Sequence, residues 1–70
     1  MQRQLLHSGN LRSAGYDPHA HVLEIEFHGN GLYRYFDVPD TLYVKLLQAP
    51  SAGAYFHAHI KNRYLCCRVQ

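Results

Sequence analysis

Only two cysteines, one methionine and no tryptophan occur in this 70-residue chain, and it contains no long apolar run. The cysteines, Cys66 and Cys67, are neighbours. Adjacent residues lie only ~3.8 Å apart at Cα, short of the usual disulfide span. A disulfide scaffold is therefore excluded, and a reducing compartment suits the chain. The apolar runs are a few residues each, far below the ~20 that a membrane-crossing helix needs, and no signal-peptide pattern is visible. Together these absences set the expectation of a cytoplasmic protein. A strong charge of one sign is missing too. Seven Lys and Arg stand against five Asp and Glu, a formal net charge of +2. Such mild basicity permits a polyanionic partner without demanding one.

What is present is enough for one small core and no more. A hydrophobic fraction of 47% and an aromatic fraction of 13% exclude disorder. Residues 1–9 read as a loose, polar lead-in to a single domain over 10–70. A first strand is expected from about Asn10 to Tyr16, stopped by the turn signal Asp17-Pro18. Val22 to Phe27 is the clearest element. Leu23, Ile25 and Phe27 alternate with Glu24 and Glu26, the pattern of a strand with one wet face. Gly29-Asn30-Gly31 then signals a hairpin, and Leu32 to Val38 returns as a third strand. Pro39 suits the first turn of a helix, where Leu42, Tyr43, Leu46 and Leu47 form one apolar face until Pro50. Ser51 is a natural N-cap for a second, shorter helix, with Tyr55, Phe56, His59 and Ile60 on its inner side. Asn62 suits a left-handed residue closing it. The expected architecture is α+β: a three-stranded antiparallel meander, two short helices packed on one face, and an extended C-terminal tail.

The register of the central hairpin decides where Tyr33 and Tyr35 point. A two-residue loop, Asn30-Gly31, sets Phe27 opposite Arg34 and Glu24 opposite Asp37, which mixes charge into the core row and pairs like charges. A three-residue loop, Gly29 to Gly31, sets Phe27 opposite Tyr33, Ile25 opposite Tyr35 and Glu26 opposite Arg34. The second arrangement violates fewer rules. It makes both tyrosines mainly structural and leaves Arg34, Phe36, Glu24 and Glu26 on the outer face.

The segments SGNLRSAGYDP, LEIEF, YRYFDVP and APSAGAYFHAHIKNRY, in this order and spacing, resemble the KTSC domain. This short bacterial and phage domain is named for its occurrence at the C-terminus of some lysyl-tRNA synthetases. The most specific residues are Tyr33 and Tyr35, then Val38-Pro39, then Gly53, Tyr55 and Phe56 with His59-Ile60. The resemblance runs from about Ser8 to Val69. It implies no established chemistry, and RNA is the partner that the company of the domain suggests. The sequence departs from the pattern at Ala52 and Ala54, where Lys or Arg is expected.

No catalytic signature is present. Cys66 and Cys67 lack a Cys-His-Asx order, and free cysteine is most often a small buried hydrophobe. His-Ala-His occurs at His19 to His21 and at His57 to His59, but residues two apart on a helix point to nearly opposite sides. Neither pair has the further ligands that a zinc site needs. No cofactor or metal is expected. Lys61, Arg63 and Arg68 surround Tyr64, a basic tail with an aromatic in it, which can follow phosphates and stack a base. The leading expectation is a non-enzymatic binding module that takes RNA through Arg34, Lys61, Arg63, Tyr64 and Arg68. The alternative is a protein-interaction module or homo-oligomer, joined through an exposed sheet edge.

Overall fold

In the computed structural model, which describes residues 1–70, five strands and two helices follow one another along the chain. They are β1 (Arg3–Leu5), β2 (Leu11–Asp17), β3 (Val22–Phe27), β4 (Gly31–Tyr35), α1 (Asp40–Gln48), α2 (Ala52–His59) and β5 (Cys66–Arg68). The strands form one antiparallel sheet in the order β1-β2-β3-β4-β5. The α+β class and the two helices agree with the sequence reading. The strand count does not, because the sheet has five strands rather than three. The supposed lead-in contains β1, and the supposed tail contains β5. Each is three residues long, with every residue exposed. So short a segment has no alternation to read, and it becomes a strand by pairing with an edge that already exists.

The helices cover one face, called the inner face here. Leu23, Ile25 and Tyr35 of the sheet meet Leu46, Phe56 and Ile60 across this interface, all of them buried. The Phe56 ring is the hub: Phe27 and Tyr35 each meet it edge-to-face at a centroid distance of 5.5 Å. A bulge in β2 helps to fill the core. Leu11 pairs with Phe27 while Ser13 pairs with Glu26, with Arg12 as the extra residue. Without it Leu11 and Ser13 would share a face. With it Leu11 turns inward and Ser13 outward.

Local signals act largely as their chemistry dictates. Asp17 accepts hydrogen bonds from the backbone N–H of His19 and Ala20, closing the β2–β3 turn. These two bonds hold its carboxyl below the usual range. Ser51 caps α2 by accepting from the Ala54 N–H at 3.2 Å, and Asn62 is left-handed with φ 63°. Pro39 is the N-cap residue of α1 and so precedes its first turn. On α1, Leu46 is buried, Leu42 and Tyr43 are half-buried, and Leu47 stays exposed. His59 is exposed rather than inward. It leans on the half-buried Tyr55 with ring centroids 4.4 Å apart.

The central hairpin differs from both registers considered above. Its turn is His28 to Asn30, and Ile25 lies opposite Tyr33, Leu23 opposite Tyr35 and Glu24 opposite Arg34. The pairing is thus two residues away from the three-residue-loop expectation. A shift by two leaves every side chain on its own face, so hydrophobic patterning cannot tell the two apart. Turn chemistry and tertiary contacts choose between them. Gly31 closes the turn with φ +90° and lies opposite Phe27. A Cβ there would run into the Gln70 carbonyl and the Arg68 guanidinium. The assignment of faces survives: Tyr35 is buried in the core, and Tyr33 packs half-buried beside it.

Candidate functional site

The outer face of the sheet carries a short row of matched charges. Arg3 of β1 and Arg34 of β4 donate to different carboxylate oxygens of Glu24 on β3, the Arg34 Nε at 2.7 Å. The strand between Arg3 and Glu24 presents Gly15 at this level. Its missing side chain opens the way across, and a Cβ would lie 2.9 Å from the Met1 sulfur. The Glu24 side chain is only 6% exposed, against 36% and 49% for the arginines. The arginine stems thus shield a carboxylate on a face that no helix covers. Nearby, Ser13 donates to Glu26 at 2.9 Å.

The inner face is different where it runs out beyond α2. There a cavity of about 470 Å³ opens between the β3–β4 turn, the end of α2 and β5. Phe27, Tyr33, Tyr35 and Phe56 supply its apolar wall, and Lys61 and Arg68 supply positive charge. His28, His57 and three asparagines, Asn10, Asn30 and Asn62, complete the polar lining. Not one of the fourteen lining residues is a carboxylate. Neither Lys61 nor Arg68 is paired with an Asp or Glu side chain, since both side-chain ion pairs are those of Glu24. Arg68 is held by its own chain, with Nε donating at 3.0 Å to the main-chain oxygen of Gln70, the last residue of the sequence. Phe27 and Tyr33 meet edge-to-face at 5.5 Å, and both are only half-buried. Burial pushes the Tyr35 hydroxyl up to about 12, with smaller contributions from Cys66 and Tyr33.

The remaining carboxylates lie at the far end of the sheet. Asp17 ends β2, while Asp37 and Asp40 follow β4. Val38 N–H bonds to the His21 carbonyl at 3.0 Å, which ties these two ends together. Tyr16 donates its hydroxyl to the Val38 carbonyl there. Its hydroxyl is raised by burial first and then by Asp40 and Asp17. The antiparallel topology therefore divides the molecule into an acidic end and a basic end.

The five residues singled out from the sequence do not form one surface. Lys61 and Arg68 both line the cavity. Arg63 stands on the adjoining turn, where Nε donates to the Ala58 carbonyl at 3.0 Å, and Tyr64 is half-buried against the core. Arg34 faces the other side of the sheet with its charge matched by Glu24. Sequence reasoning missed Phe27, His28 and the asparagines as lining residues. The Gly-Asn-Gly signal located the turn but not the wall it would join. Cys66 also lines the cavity, whereas Cys67 alternates to the outer face opposite Arg34. No three His, Cys, Asp or Glu side chains stand close enough together to hold a metal ion. No helix is long and apolar enough to cross a membrane.

Fold and cavity together define a small α+β domain: an antiparallel meander with helices on one face and a basic recess at one end. The KTSC domain model matches residues 7–64. The chain belongs to the KTSC domain family. It is 44% identical over 64 residues to an uncharacterised protein of Stutzerimonas stutzeri, covering 91% of this chain and 90% of that one. A lysine–tRNA ligase of Nostoc is 39% identical over 54 residues, covering 77% of this chain. The matched part is 10% of the ligase, so the likeness concerns a small region of a long enzyme. The crystal structure of a KTSC domain protein from Yersinia pestis superposes with a TM-score of 0.96 at 38% identity, covering 99% of this chain and 97% of that one.

Proposed function

We propose that this domain is a non-catalytic RNA-binding module whose contact surface is the basic end of the inner face. The observation that carries the reading is the cavity lining: two cations without an Asp or Glu partner, several aromatic rings and no Asp or Glu side chain. A polyanion meets attraction there without repulsion, and the acidic end points away from it. Arg63 and Tyr64 extend this surface along the turn after α2. The related region within lysine–tRNA ligases is consistent with an RNA partner, although the likeness spans only a tenth of those enzymes.

The test is fluorescence anisotropy with a labelled mixed-sequence single-stranded RNA at low and physiological salt. The K61A/R68A variant and R34A are run beside the wild type. Binding that weakens with salt is expected, and the double variant lowers the salt slope by about 1.4, at ~0.7 per phosphate contact on a single strand. R34A leaves the slope unchanged, because Arg34 lies on the other side of the sheet and its Nε is held by Glu24. No binding at low salt, or equal losses in both variants, overturns the reading.

A second reading rests on the sheet edges. β1 and β5 are both unpaired on their outer sides, and beside β5 Leu65 is 80% exposed. Edge pairing with a second copy or a partner protein would cover them. Sedimentation velocity over a wide concentration range separates the two. Self-association that ignores salt and is lost in L65K favours this second reading.

A further inference from the structure

We infer that the cavity at the basic end is a subsite for one unpaired nucleotide, so that the domain reads single-stranded and not duplex RNA. This rests on the RNA reading above and narrows it. The recess of about 470 Å³ falls within the ~300–1,000 Å³ typical of small-ligand sites. It has room for a base, a sugar and a phosphate. Stacked base pairs cannot enter a recess walled by a helix end, a turn and an edge strand. A base must leave its stack to reach the wall.

The lining divides by chemistry in the way a nucleotide does. Phe27 and Tyr33 line the recess and are half-buried, and aromatic stacking accepts any base. Asn30 and Asn62, from the β3–β4 turn and the turn after α2, carry amides that both donate and accept, as base edges require. Lys61 and Arg68 provide the positive charge for the phosphate. They come from two different segments of chain, and Arg68 is steadied over Gly31 by its bond to the Gln70 carbonyl. A simple anion site would need the cations alone, and a simple apolar site would need only the rings. Both together, with no carboxylate, match a nucleoside monophosphate.

Cys66 gives the test a handle, because it is exposed and lines the cavity, while Cys67 is exposed on the opposite face. In a C67S background, alkylation of Cys66 with N-phenylmaleimide puts a bulky ring into the recess. In C66S, alkylation of Cys67 serves as the control. Both forms are titrated with single-stranded RNA, a blunt RNA duplex of equal length, 5′-AMP, adenosine and inorganic phosphate. Nucleotide binding is followed by backbone and asparagine side-chain amide shifts. The expected result is tighter binding of single strand than duplex and of 5′-AMP than adenosine or phosphate. Alkylation at Cys66 removes these preferences, and alkylation at Cys67 leaves them. Y33L, checked for folding by circular dichroism, weakens single-strand binding about tenfold, within the range for one stacked base.

If duplex and single strand bind equally and Cys66 alkylation changes neither, the subsite is wrong while RNA binding stands. If phosphate binds as well as 5′-AMP, the recess is an anion site and the inference falls. If no RNA and no nucleotide binds, both readings fall together.

Discussion

Arg34 and Arg68 sit on neighbouring strands of one sheet, yet they have opposite circumstances. Arg34 points to the outer face, where Glu24 answers its charge. Arg68 points to the inner face, where no Asp or Glu lines the cavity. A strand alternates its side chains, so a single-residue offset decides between a structural ion pair and an available cation. The two faces differ in the same way as a whole. The outer one balances Arg3 and Arg34 against Glu24 and Glu26, while the basic end of the inner one keeps Lys61 and Arg68 unmatched. Counting basic residues therefore says little about a binding surface. What matters is which of them have already spent their charge on a carboxylate of the same chain.

The largest expected effect tests whether the inner face truly carries the stability. Phe56→Ala removes the ring that Phe27 and Tyr35 both meet. It should cost about 3–5 kcal/mol, most of the stability of a domain this small. Urea denaturation measures it, and a loss below about 1 kcal/mol would show that the core is centred elsewhere.

A smaller effect belongs to the outer face. Glu24→Gln leaves Arg3 and Arg34 with an amide that can accept at only one end. Breaking a fully buried pair costs about 3–5 kcal/mol, but both arginines are partly exposed and water screens them. A loss of about 1–2 kcal/mol is expected, and it should shrink in high salt. A neutral outcome would mean that the charge row is decorative, and that the two faces differ less than their geometry implies.

A third effect is confined to high pH. An unfolded tyrosine ionises near its ordinary value of ~10, whereas Tyr35 in the fold stays neutral up to about 12. The unfolded chain thus loses the proton first. The contribution is whole below pH ~10 and drains away as pH rises toward 12. Tyr16 and Tyr43 are shifted in the same direction, so Tyr35→Phe should flatten this segment of the profile without abolishing it. Urea midpoints between pH 9 and 12 would read the difference. An unchanged slope would place the Tyr35 hydroxyl in open water.

Much of the fold was legible because its causes are local. The alternation from Val22 to Phe27, the Ser51 cap and the left-handed Asn62 each depend on residues a few positions apart. The facing of Tyr33 and Tyr35 was legible as well, since parity alone settles it. The exact pairing was not. Glu26 was expected opposite Arg34, and Glu24 stands there instead, because a slide by two preserves every pattern that a sequence displays. The site was half legible. Lys61 and Arg68 both line the cavity, whereas Arg34 faces the other side of the sheet, and basic character alone carries no information about facing. No local signal marks Phe27 or His28 as part of a wall built jointly with α2 and β5.

By itself, then, the amino-acid sequence determined a single small α+β domain, its apolar and polar sheet faces, its two helices and the membership in a family. All but the last follow from periodicity, turn chemistry and composition, which act over a few residues; the family was legible as a resemblance of whole motifs. Tertiary structure alone decided that Arg3–Leu5 and Cys66–Arg68 become strands, that Glu24 collects two arginines, and that unmatched cations and aromatic rings share one recess. Each of these depends on which distant segments become neighbours. That choice is made by the summed packing of the whole core, and no short stretch of the chain encodes it.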